Sequence, residues 1–223
     1  MATEPMPTGK EQKMEDPARP IRIVLIKGSV RPGNYTSMAS NIVVDELRKH
    51  PKVAVELVDP GELHLPFPGE NPEAPGTKRL QDIVKPATGV ILATPEYHGT
   101  FSSVMKLVIE NLGFPSVLSG KPVALLGVAA GSIGAIKSLE HLRGVVSHVG
   151  GIVLPLPVSI ANVHKVFDRE GHILDPAIDR LIRQVATNLL GYVEKNICPA
   201  VTLERLIREG VPPPSQTPGV VTR

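Results

Sequence analysis

The sequence predicts an α/β fold, a doubly wound parallel sheet, on three observations. Five short apolar runs recur along the chain, at 21–26, 53–58, 89–93, 122–128 and 151–155. The segments between them repeat their apolar residues with a helical period, so strands and helices alternate. Three of the runs lead directly into loops rich in glycine, serine or proline, and in an open parallel sheet the loops at strand carboxyl ends are where ligands bind.

The first strand, 21–26 (IRIVLI), is β-rich and apolar enough to lie inside the sheet. After the loop GSVRPGN comes a helix at 37–50, with Met38, Ile42, Val43 and Leu47 as its apolar positions. The second strand, 53–58, stops at the turn signal Asp59-Pro60-Gly61. A proline-rich loop over 62–76 and a short helix at 77–85 lead to the third strand, 89–93. The loop TPEYHG and a helix at 103–112 follow, and then the fourth strand at 122–128. The loop AAGSIGA opens a long helix running to about 149, before the fifth strand at 151–155. An amphipathic helix over 175–196 closes the pattern, with Ile178, Leu181, Ile182, Val185, Leu189 and Val193 on one side. Residues 21–198 are therefore expected to form one domain. Residues 1–20 read as a flexible N-terminal arm and 199–223 as a C-terminal extension and tail.

Composition excludes several function classes. A formal charge of +2 across 223 residues gives no field that would attract nucleic acid or an anionic membrane. The single cysteine, Cys198, rules out an internal disulfide and fits a reducing, cytoplasmic setting. No apolar run reaches the ~18 residues that span a bilayer, and the N-terminus lacks the apolar core of a signal peptide.

The chemistry is expected at three strand ends. In the first loop two glycines accompany Ser29, Arg31 and Asn34 just ahead of a helix, so backbone amides and a helix N-terminus meet at one spot. Such a spot favours a phosphate. It is neither a Walker A loop nor a GxGxxG fingerprint. The second loop offers Pro95, Glu96, Tyr97, His98 and Gly99, a rigid turn with one flat aromatic ring. The third presents main-chain amides at Gly131, Ser132 and Gly134. A phosphate at one end and a planar, hydrogen-bonding body across two loops describe a mononucleotide. A flavin suits the site better than an adenine nucleotide, because no metal-binding acids accompany the phosphate loop. Tyr35 follows that loop, and two readings of it stand open: contact with the ribityl chain, or a surface position.

GSVRPGNYT, TPEYHGTFSSVMKLVIENL and GAIKSLEHLRGVVSHVGGIVLP, in that order, resemble the NADPH-dependent FMN reductase family, a flavodoxin-like group. The resemblance runs from about residue 21 to 196. It implies a flavodoxin-like five-stranded parallel sheet of order 2-1-3-4-5 with FMN at the junction of strands 1 and 3. It further implies that Ser29, Arg31, Asn34 and Thr36 hold the FMN phosphate, that Pro95, Glu96, Tyr97 and His98 line the isoalloxazine, and that Gly131 and its neighbours close the other side. His98 stands where the family usually has Asn, and Ser102-Ser103 where it usually has Pro-Gly.

The remaining polar residues carry bland readings. Glu96 is read as a carboxylate that orients the loop rather than as a general base. His141 and His148, seven residues apart, are read as packing or surface histidines rather than metal ligands, and Cys198 as structural. Lys106 and Glu110 have the spacing of an i,i+4 pair. The expected function is an FMN-dependent oxidoreductase that takes hydride from NADPH or NADH. A small-molecule acceptor (quinone, free flavin, azo dye or metal ion) then receives the electrons. The alternative is a non-enzymatic flavodoxin-type electron carrier. A signalling receiver is rejected because Lys27-Gly28 and Thr94-Pro95 occupy the places of its acidic residues. The helix at 103–112 is apolar on more than one face, which predicts a dimer at least with this helix at the interface, and the resemblance implies the same, a homodimer or homotetramer.

Overall fold

Strand β1 (Ile21–Lys27) lies at the centre of the molecule because both of its faces are apolar. Ile23 and Leu25 point into one core layer, and Val24 and Ile26 into the other. The computed structural model describes residues 21–210. The arm expected at 1–20 and the last part of the tail, 211–223, lie outside the described residues. On either side of β1 run β2 (Val53–Val58) and β3 (Gly89–Tyr97), both parallel to it, and β5 (Pro122–Val128) pairs with β3. With β6 (Ile152–Val153) beside β5, the sheet order β2-β1-β3-β5-β6 is the flavodoxin-like order expected, since β5 and β6 are the fourth and fifth main strands.

One face is covered by α1 (Tyr35–Arg48) and α5 (Pro176–Tyr192), through Ala39, Val43 and Leu47 of the first and Ile182, Val185 and Leu189 of the second. The other face carries α2 (Pro75–Val84), α3 (Ser103–Asn111) and α4 (Ile136–His148). Their contributions include Leu80, Val108 and Leu142, all fully buried. Each such side chain stabilises the fold by about 1.5–3 kcal/mol relative to exposure.

Four boundaries depart from expectation. Helix α1 begins at Tyr35 rather than 37, because the Asn34 side chain accepts from the Ser37 amide at 2.8 Å and caps the helix there. The third strand does not stop at 93. It runs through Thr94-Pro95-Glu96-Tyr97 and folds back as β4 (Thr100–Phe101), so the expected loop is a β-hairpin. Its two-residue turn puts His98 at φ 50° and Gly99 at φ 75°, the left-handed pair such a tight turn requires. The fifth strand is split into β6 (Ile152–Val153) and β7 (Val158–Ile160), both pairing with β5. Between Val153 and Val158 the strand bulges out, and Leu156 stands exposed at φ 60°. The last helix ends at Tyr192 in one π-helical turn (Val193–Ile197), and α6 (Cys198–Arg208) continues from it with no buried residue.

Candidate functional site

The carboxyl ends of β1, β3 and β5 converge on a cavity of about 450 Å³, within the range of small-molecule sites. Arg31, Asn34, Tyr35 and Thr36 line one part of it, Pro95, Glu96 and Tyr97 a second, and Val128, Ala129 and Ala130 a third. Sequence-predicted residues of the first two loops thus surround one space, closed on the third side by Val128–Ala130, which precede the predicted Gly131 and Ser132.

The first loop is pulled tightly against the sheet. The Gly28 amide donates to the Ala93 carbonyl at 2.6 Å, and a Cβ on Gly28 would stand 2.9 Å from that oxygen, so only glycine fits. Its carbonyl accepts from Ser102 Oγ at 2.5 Å. The same Ser102 oxygen accepts from the Met105 amide and caps α3, which supplies the start that Pro-Gly would otherwise make. Ser29 is 2% exposed, and its hydroxyl has no hydrogen-bond partner. A buried hydroxyl left unsatisfied is costly unless a ligand completes it. Beside it, Thr36 is buried in the first turn of α1. A phosphate at this helix start fits both the orphaned hydroxyl and the helix dipole.

Asn34 plays a different part from a plain phosphate ligand. Its Oδ1 accepts from Ser37, and its Nδ2 donates to the Arg31 carbonyl at 2.6 Å, so it braces the loop. The Arg31 guanidinium crosses the cavity mouth, with Nη1 3.5 Å from Tyr97 Oη and Cζ 5.8 Å from the ring centroid. The Tyr97 hydroxyl raises the guanidinium pKa further, so the charge is permanent.

Tyr35 is neither fully exposed nor buried. Its ring is half-buried on the cavity wall and stacks on Phe167, centroids 6.1 Å apart. Glu96 also lines the cavity, and its Oε2 accepts from the Ser138 amide at 3.1 Å in the first turn of α4. Helix α4 has no side-chain cap of its own, so this carboxylate satisfies one of its free amides from across the cleft. A second clamp joins His141 Nδ1 to Thr100 Oγ1 at 3.0 Å. In β3 itself, Thr94 Oγ1 accepts from the Ser102 amide, which ties the hairpin to α3.

His98 and Gly99 form the hairpin turn at the rim rather than the cavity wall. Gly131 and Ser132 are exposed beside the cavity, whose wall on that side is made by Val128–Ala130. The Gly131 carbonyl accepts from the amides of Gly134 and Asn162, which closes the third loop on itself. Sequence reasoning missed Val163, which completes the wall from a single 3-10 turn, and the two serines, Ser102 and Ser138, that hold the loops together. The only signal for Ser102 was its place just ahead of a helical pattern.

Comparison with known proteins agrees with this arrangement. The family model described as NADPH-dependent FMN reductase matches residues 21–165. An NAD(P)H-dependent FMN reductase of Pseudomonas aeruginosa is 31% identical over 171 residues, covering 74% of this chain and 90% of that protein. An NADPH azoreductase of a Bacillus species is 28% identical, covering 78% of this chain and 96% of that protein. Among solved structures, the flavoenzyme NAD(P)H:(acceptor) oxidoreductase FerB of Paracoccus denitrificans superposes with a TM-score of 0.67 at 21% identity. It covers 78% of this chain and 97% of that one, a likeness of fold.

Proposed function

This chain belongs to the NADPH-dependent FMN reductase family, and from that premise we propose that the cavity at the ends of β1, β3 and β5 holds FMN and serves electron transfer from a nicotinamide to a planar organic acceptor. The observation that carries the assignment of the site is the buried, unpartnered Ser29 hydroxyl in the loop that joins β1 to α1. Ser29, Thr36 and Arg31 hold the phosphate, with Asn34 bracing the loop around it. The backbone of Pro95–Tyr97, locked in the sheet and clamped to α4 by Glu96, carries the isoalloxazine. Tyr35, backed by Phe167, borders the ribityl chain, and Ala129, Ala130 and Gly131 close the far side.

FMN supplies the redox chemistry when bound, accepting hydride from NADPH or NADH and passing the electrons on. The protein's part is orientation and exclusion of water. No side chain is required as acid or base, since the redox chemistry is the cofactor's; Glu96 holds the Ser138 amide through Oε2. Quinones, free flavin and azo compounds are the acceptors we assign, and the azoreductase relative supports the last of these.

We also assign a homodimer or homotetramer. Met105, Val108, Ile109 and Leu112 fill the core, while Val104 and Leu107 remain half-exposed on α3 and Phe114 is 93% exposed just beyond it. That apolar strip suits a second copy, and sedimentation showing only monomer at micromolar concentration would count against it. Among the described residues no helix is long and apolar enough to cross a membrane. The purified protein should be yellow and release FMN on denaturation. It should also oxidise NADPH with a quinone as acceptor; a colourless protein that FMN cannot reconstitute would refute the reading.

A further inference from the structure

Helix α6 has no buried residue, yet its sequence is amphipathic. Leu203, Leu206 and Ile207 fall on one side of it, at the three- and four-residue spacing of a helix seam. Leu203 is 45% exposed and Ile207 66%. Most helical stability comes from packing such a face, and a helix as short as α6 is marginal without it. At the foot of α6 lies a groove of about 360 Å³. The bulge Leu154–Leu156 forms one wall, and Gly191, Tyr192 and Lys195 stand on the other. Stripe and groove share one face of the continuous helix. Gly191 and Lys195 are followed by Pro199, Leu203 and Leu206 at steps of four, four and three residues. Steps of four drift by about 40° round an α-helix. The wider π turn at Val193–Ile197 takes up that drift.

We propose that α6 is an exchange arm for a second copy of this chain. Two α6 helices pair antiparallel about a two-fold axis, and Leu203, Leu206 and Ile207 of each fill the Leu156–Tyr192 groove of the other. Antiparallel pairing sets the tip of one helix against the foot of its partner, which is where stripe and groove lie. One contact thus covers both apolar surfaces on both copies, the self-complementary form of a two-fold interface. The charges suit a second copy better than an acidic or a basic partner. Along α6, Arg208 pairs with Glu204 and Arg205 with Glu209, so two arms meet without net like charge. The groove belongs to the α5 side of the sheet and the α3 strip to the other, so the two contacts do not compete.

The test takes the full chain at micromolar concentration and reads its mass by sedimentation equilibrium. Leu203→Glu, in the stripe, should halve the mass of the assembly. Leu156→Asn, in the groove, should do the same, and asparagine accepts the φ of 60° at that position. Val201→Glu, on the opposite side of α6, should leave the mass unchanged. Each two-fold contact doubles the assembly, so the halving is expected whether or not α3 also pairs, and Phe114→Glu reads the α3 strip by itself. Disulfide trapping gives a second readout. In a Cys198→Ser background, Lys195→Cys and Leu203→Cys introduce thiols two turns apart, too far to join within one chain. Oxidation should link them between copies as a covalent dimer. A monomeric wild type, an unchanged mass in Leu203→Glu or Leu156→Asn, equal dissociation of Val201→Glu, or no covalent dimer overturns the proposal. A stripe covered by residues 211–223 of its own chain would appear as an unchanged mass in Leu203→Glu.

Discussion

The guanidinium of Arg31 and the ring of Tyr97 meet across the cavity mouth, with Cζ 5.8 Å from the ring centroid. Sixty-six positions separate them in the chain, and they join the β1–α1 loop to the β3–β4 hairpin. Arg31→Ala is expected to weaken FMN binding roughly tenfold or more, the scale of a lost charge-assisted hydrogen bond to phosphate. Riboflavin, which lacks the phosphate, should bind wild type and variant almost equally. Fluorescence titration with both flavins checks this; an equal loss for riboflavin would remove Arg31 from the phosphate site.

Ser29 separates stability from function. Its hydroxyl is buried without a partner, so Ser29→Ala should leave the flavin-free protein as stable as wild type or more so, by about 1 kcal/mol. The same change should weaken FMN binding. Urea unfolding of apo and holo protein reads both effects, and a variant destabilised in the apo form would show that Ser29 is a packing residue only.

Glu96 is predicted to act through the Ser138 amide alone. A glutamine carbonyl can accept the same bond, so Glu96→Gln should keep the pH profile of kcat, whereas Glu96→Ala should loosen the hairpin and weaken FMN binding. A marked change in the Glu96→Gln profile would restore this carboxylate as a proton donor.

Donor and acceptor are expected to use the same exposed face above Pro95–Tyr97 in turn, because stacking within about 3–3.5 Å leaves room for one planar body. Initial-rate data with NADPH and a quinone should give parallel double-reciprocal lines. Intersecting lines would require a second acceptor pocket.

Arg183 ties α5 to α1 through Asp45 and Glu46, and Asp179, one turn back on its own helix, holds it in place. Its hydrogen bond holds the Asp45 pKa below the ordinary value, and Lys49, with Arg183 behind it, does the same for Glu46. Carboxylates with depressed native pKa values contribute stability above their unfolded pKa and lose it as pH falls through the native one. The protein should therefore lose stability below about pH 4, and Arg183→Gln should flatten that loss. At neutral pH the variant should be less stable by about 1 kcal/mol, discounted for the exposure of Asp45. Thermal melts from pH 7 to pH 3 measure both.

Local chemistry along the chain determined most of the architecture. Runs such as IRIVLI and PVALLGV, apolar on both faces, could only be central parallel strands, and the helical periods between them required layers on either side. GSVRPGN before a helix was legible as a loop suited to a phosphate because its glycines and helix start are close together in sequence. Tertiary structure decided what depends on distant partners. TPEYHGTF looks like a loop until Glu96 pairs with Phe101 and Tyr97 with Thr100, which makes it a hairpin. Asn34 has the composition of a phosphate ligand, and only the fold shows that it also braces the loop, its Oδ1 on the Ser37 amide and one Nδ2 hydrogen on the Arg31 carbonyl. The split of the fifth strand depends on its pairing with β5. Ser102, bonded to Gly28 across 74 positions, and Glu96, bonded to Ser138 across 42, fix the cavity walls. Hydrophobic periodicity reports which face of an element is buried. It holds no record of which polar atom on one loop reaches the backbone of another, because that pairing exists only once the sheet has brought the loops together.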